Sequence, residues 1–204
     1  MARLKSKWNL KDRDRTPEQI ASAFSANIWL LAGDGCLQLE NEGFETNTHA
    51  QRLDVIEEFV AFALHMVDRM SFGELEEPER VRFINALGLQ LANLVQDNRL
   101  DANGPGEYRQ GFIDRLNERM DDYSDYSYSS EDGPAFSLKR SFANHVMRVM
   151  GERDRKWIPD YVMDVEVPKL MTGLRRIMSG MESSLESADF DMPPIPRGGV
   201  WGDG

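Results

Sequence analysis

Reactive side chains are scarce in this chain of 204 residues, which holds one cysteine, Cys36, and three histidines, His49, His65 and His145. A lone thiol cannot close an intramolecular disulfide, so the composition reads as that of a reduced, cytoplasmic protein. Structural zinc needs closely spaced Cys and His ligands, and no such spacing occurs. The residues three before the histidines are Thr46, Phe62 and Phe142, so the Glu-x-x-His pairs of di-iron helical bundles are missing too. Neither a Gly-x-Ser-x-Gly elbow nor a Gly-x-x-x-x-Gly-Lys phosphate loop is present. No metal or cofactor is expected from these residues. An enzyme would need a site assembled from distant positions.

Other absences bound the fold. No apolar run approaches 18 residues, so no transmembrane segment is expected. The basic start contains Asp12 and Asp14, and Ser22, Ser25 and Asn27 interrupt the apolar stretch that follows, so it does not read as a secretory signal. Asp34 and Gly35 spoil the spacing that a lipoprotein box before Cys36 would need. Strand-type alternation of useful length is missing, as is any internal repeat of convincing period.

What the chain has is acidic charge and helical periodicity. The net charge is −11, but it is unevenly spread. Residues 1–15 carry six basic and two acidic side chains, residues 16–138 eight and twenty-three, and residues 139–156 again six and two. An acidic body repels phosphate backbones, which disfavours nucleic acid as a partner.

Thr16-Pro17-Glu18-Gln19 reads as a helix start, followed by Ile20, Phe24, Ile28 and Leu31 on one face. Gly33-Asp34-Gly35 is expected to stop that helix, with a polar loop over Glu40 to Asn47. Thr48 then caps a helix whose apolar face runs from Leu53 to Met70, with Glu57, Glu58 and Asp68 on the opposite, solvated side. Pro78 opens a third helix, and the turn Asp101 to Gly106 closes it. That turn has a calcium-loop look, but Arg99 and Gln110 would fall at its first and last ligand positions, where anionic oxygens are required.

A fourth helix is expected over Glu107 to Met120, its charges, among them Arg115 and Arg119, facing solvent. The acidic Ser/Tyr tract Asp121 to Gly133 reads as a loop. A fifth helix covers Pro134 to Glu152, with Phe136, Leu138, Phe142 and Val146 inward. The last begins near Pro159, and Pro168 kinks or divides it. The fold class is therefore all-α, a bundle of five to seven helices over 16–187, with a basic arm at 1–15 and a Pro/Gly-rich tail at 188–204.

Two features read as contact surfaces in an otherwise featureless chain. The first is basic: Lys139, Arg140, Arg148, Arg153, Arg155 and Lys156, followed by Trp157. It would dock an acidic partner or be neutralised by the Asp121–Asp132 tract. The second is the tail, where Phe190, Ile195 and Trp201 punctuate prolines and glycines. The Met147/Met150 and Met178/Met181 pairs would suit Cu(I), but methionine at helical spacing is more often core filling. The expected function is a cytoplasmic protein–protein interaction module, an adaptor, regulator or assembly factor. The alternative is a ligand- or metal-binding bundle around His65, His145 and the late methionines. Nothing in the sequence bars a homo-oligomer.

Overall fold

The helix opened by Thr48 is the one around which the others assemble. The Thr48 hydroxyl accepts the Gln51 N–H at 3.1 Å, closing the N-terminus as its sequence predicts. The computed structural model describes residues 17–153 and 155–184, so the N-terminal arm and the tail positions Phe190, Ile195 and Trp201 lie outside the described residues. In chain order these residues form α1 (Pro17–Asn41), α2 (His49–Ser71), α3 (Glu77–Asn103), α4 (Arg109–Ser124), a two-residue hairpin of β1 (Tyr128–Ser129) and β2 (Gly133–Pro134), and α5 (Phe136–Val149). A last helix has three parts: α6 (Ile158–Tyr161), a π-helical turn (Val162–Glu166) and α7 (Val167–Ser184).

Helix α2 packs against α1, α3, α4, α5 and α7. Every residue from Glu57 to Val67 is buried, about three turns with no solvated face. Its aromatic rings key the neighbours in place. Phe62 stacks on Phe142 of α5 with centroids 4.2 Å apart, and Phe59 meets the same ring edge-on at 5.0 Å. Between α1 and α3, Phe24 meets Phe83 edge-on at 5.3 Å. The late methionines Met150, Met163, Met171 and Met178 pack into this same core.

Several expectations are corrected here. Gly33 and Gly35 do not end α1, which runs on to Asn41. Gly35 serves packing instead: a Cβ there would lie 2.5 Å from Cε1 of the buried Phe59 ring. The uninterrupted helix gives a 24-residue stretch, Glu18–Asn41, holding an 18-residue window of mean hydropathy 1.3, long and apolar enough by composition alone to cross a membrane. In the structure α1 packs along α3, α2 and α7 and buries Ile20, Phe24, Ile28 and Leu39 in the core. The Asp121–Gly133 tract is not simply a loop. Helix α4 continues through it to Ser124, placing Tyr123 in the core, and the hairpin follows. Phe136 points outward, 67% exposed.

The charged faces are corrected as well. Glu57 and Glu58 are buried because α2 is enclosed on all sides, and both are met by arginines. Arg99 of α3 donates from Nε to Glu57 at 2.6 Å and from Nη2 to Asp54 at 2.6 Å. Arg115 of α4 donates to the other Glu57 oxygen at 2.5 Å. One turn along, Arg119 grips Glu58 through two hydrogen bonds of 2.8 and 2.9 Å. Burial pushes the Glu57 carboxyl above its ordinary value, and Arg99 and Arg115 pull against it. These pairs fix the rotation of α4 about its axis, and so fix where its last turn points.

Candidate functional site

That last turn of α4 carries Asp122, and with α5 it frames an open cleft of about 430 Å³. Its floor is polar. The Ser141 hydroxyl donates to Asp122 Oδ2 at 2.5 Å, and His145 Nε2 lies 2.9 Å from the same oxygen. Arg148 Nη1 lies 3.2 Å from His145 Nδ1. A guanidinium can only donate, so Nδ1 accepts and the imidazole proton sits on Nε2, directed at Asp122. Burial alone would raise the Asp122 carboxyl, but the hydrogen bonds from Ser141 and His145 and the nearby positive charge outweigh it and hold it below the ordinary carboxylate range.

Ser, His and Asp meet here without forming a nucleophilic triad. The serine hydroxyl bonds to the carboxylate rather than to the imidazole, and both imidazole nitrogens are engaged. The arrangement instead locks His145 and presents what stands above it. Phe136, Arg140, Asn144 and Arg148 line the cleft at four-residue spacing, so they form one row along α5. The row puts an exposed ring at one end and guanidinium groups farther along. Among the described residues, Arg140 makes a long contact of 3.8 Å to Asp160 of α6, with both side chains about half or more exposed.

The basic residues singled out in the sequence do not all converge on this cleft. Arg140 and Arg148 line it. Arg153 pairs with Glu45 in the α1–α2 loop, and Lys156 lies over the ring of Trp157 at 5.1 Å. Arg155 and Trp157 are exposed in the connection to α6, and Lys139 is half-buried beside Arg140. Among the described residues the acidic tract meets this face of α5 through the Asp122 hydrogen bonds to Ser141 and His145, neither of which belongs to the basic set.

A second, smaller cleft of about 280 Å³ lies across α2 and α4, next to His65. Its cations are spoken for: Arg69 donates to the carbonyls of Ser124 and Tyr126 at 3.2 and 3.3 Å, and Arg80 pairs with Asp68 and Glu77. Between the clefts sits the fully buried Tyr123, its ring centroid 5.5 Å from that of His65 and 5.8 Å from that of His145. Burial and the neighbouring Arg69 lower the His65 pKa to about 4. Cys36 is buried, and its thiol is pushed up to about 12, mainly by that burial. Among the described residues no group of three or more His, Cys, Asp or Glu side chains is placed to hold a metal ion.

The sequence missed Asp122 and Ser141 as parts of this site, and assigned Phe136 to the core. The one available signal was the i, i+4 row Phe136–Arg140–Asn144–Arg148, hidden by the stronger apolar row of Leu138, Phe142 and Val146. No protein-family model, no curated protein and no solved structure matches this chain.

Proposed function

We propose that this chain is a protein–protein interaction module, an adaptor, regulator or assembly factor of a reducing cytoplasm, that receives an acidic segment of a partner along the outer row of α5. The observation that carries this reading is the Phe136–Arg140–Asn144–Arg148 row, exposed at Phe136, Arg140 and Arg148, which lines an open cleft and is backed by a histidine already committed to structural bonds. Arginine and aromatic side chains are the residues that most often anchor protein interfaces. Arg155, Lys156 and Trp157 extend the same basic surface toward α6 in this reading, and the single cysteine with its inert thiol fits a reducing compartment. The cleft volume also falls in the range of small-molecule sites, and its donors suit an anion, which favours a ligand-binding bundle as the second reading.

The test is native mass spectrometry of the protein isolated gently from its own cells, alongside the R140E/R148E variant. A stoichiometric protein partner on the wild type that is lost from the variant is the expected result. A partner retained by the variant overturns the placement, and an added small-molecule mass transfers the argument to the second reading.

A further inference from the structure

We infer that the outer face of α1 is a self-association surface, on which a second copy of this chain docks antiparallel about a two-fold axis. The surface is separate from the α5 row, since no residue lining that cleft lies on α1. It begins from a mismatch. Helix α1 holds an 18-residue window of mean hydropathy 1.3, yet only 44% of that window is buried inside the fold. Leu30 and Leu37 stand outward, 62% and 38% exposed. Single exposed leucines are ordinary, but these two belong to a pattern.

Ala23, Ala26, Leu30, Gly33 and Leu37 follow one another at alternating steps of three and four, the a and d positions of a heptad. All five are exposed or half-buried. Between Glu18 and Glu40 the one charge in α1 is Asp34. A parallel pairing of two such strips sets a on a and d on d, leucine against leucine and glycine against glycine. An antiparallel pairing sets a on d. Leu30 then enters the gap at Gly33 of the second copy, and Leu37 the gap over Ala26, as knobs into holes. Large meets small in both layers, and the two-fold axis makes each contact twice. The strip is complementary to itself.

Gly33 supports this pairing independently. A Cβ on Gly35 would strike Phe59, and one on Gly173 would strike Leu31, so each of those glycines lets a side chain of the fold come close. A Cβ on Gly33 would meet no atom within 4 Å. Glycine inside a helix costs stability relative to alanine, and packing within the chain does not offset that cost here.

Charge selects the occupant. At a net charge of −11, two copies repel one another over most of their surface, and an uncharged strip is where they can approach. An anionic membrane would be drawn by cations, and Pro17–Asn41 contains no lysine or arginine. Size sets the strength. The strip is about 21 Å long on a helix about 10 Å wide, at the small end of specific interfaces, so the dimer is reversible with a Kd of roughly 10–100 μM.

The test is sedimentation velocity of the full chain from about 5 to 500 μM. A monomer–dimer equilibrium is expected, with the Kd raised about twentyfold or more in L30E/L37E by like charges brought together. G33L fills the gap without adding charge and is expected to raise the Kd about tenfold. Both changes lie on the outer face, and far-UV circular dichroism with a urea midpoint establishes that each variant is folded. Under mild oxidation, A26C mixed with L37C is expected to form an interchain disulfide that L37C alone does not form. A chain that stays monomeric throughout, or a dimer indifferent to both L30E/L37E and G33L, overturns the inference. Efficient crosslinking of L37C to itself overturns the antiparallel register. A monomer whose α1 face instead binds phosphatidylcholine vesicles, with binding lost in L30E/L37E, reassigns the face to lipid and overturns the second copy as its occupant.

Discussion

Helix α2 is closed on its two sides by different chemistry. Toward α1 it presents Phe59 to Gly35, and toward α5 it offers Phe59 and Phe62 to Phe142. Toward α3 and α4 it presents Asp54, Glu57 and Glu58 to Arg99, Arg115 and Arg119. Apolar contacts depend on volume and accept swaps that conserve it. A buried ion pair depends on both members being present, because a single loss strands a charge in the interior. The apolar side therefore supplies much of the attraction, and the charged side dictates the rotation of α4.

The sharpest way to break this contrast is at Glu58, which has 0% exposure and is held by one arginine. R119A is expected to destabilise the fold by about 3–5 kcal/mol, read from the urea midpoint. The double replacement E58M/R119M should recover most of that loss. If R119A costs no more than an ordinary surface substitution, the pair does not hold α4.

Next in size is the pH response of His65. Its imidazole has a depressed pKa of about 4 in the folded chain, so between about pH 6.5 and 4 the unfolded chain binds more protons. Stability should fall as pH drops through that window, by as much as ~3 kcal/mol, and level off below it. H65Q should flatten this part of the pH–stability profile. An unchanged slope would assign it to another group.

On the apolar side, G35A should cost about 1–3 kcal/mol, because the new methyl meets the immobile Phe59 ring. The matching G173A approaches only the end of the half-buried Leu31 side chain, at 2.6 Å, which can turn aside. Helix propensity gives alanine back up to about 1 kcal/mol at either site, so G173A should be near neutral in thermal unfolding. Equal costs at the two glycines would refute this assignment of rigidity.

The smallest effect belongs to Tyr123, whose buried hydroxyl has no hydrogen-bond partner among the described residues. Removing an unpaired polar atom removes its desolvation cost, so Y123F should leave the melting temperature unchanged or raise it by an amount worth up to about 1 kcal/mol. A loss of more than that would reveal a partner for the hydroxyl.

The all-α class and most element boundaries were legible because local chemistry sets them. Thr48 caps α2, Pro78 enters the first turn of α3, and Gly104, at φ +82°, ends it. The burial of Glu57 and Glu58 was not legible, since a helical wheel assigns polar residues to water and cannot see a helix enclosed on every side. The clue lay between segments, in Glu57 and Glu58 matched by Arg99, Arg115 and Arg119. Gly35 misled for a related reason: a glycine that permits close approach reads the same as one that ends a helix. In the candidate site Arg140 and Arg148 stood out by charge alone, whereas Asp122 and His145, 23 residues apart, meet only through the rotation that the ion pairs impose.

The π turn at Val162–Glu166 bears on how the last helix keeps its phase. Its wide ring is closed by the Val167 N–H on the Val162 carbonyl, just before Pro168, which has no N–H to give. The buried residues Ile158, Val162, Glu166, Leu170, Leu174 and Met178 recur every four positions. On a helix of 3.6 residues per turn that stripe creeps by about 40° at each step. Underwinding the helix at one place takes back part of the creep, and a stripe that would otherwise wander toward solvent faces the same interior from end to end.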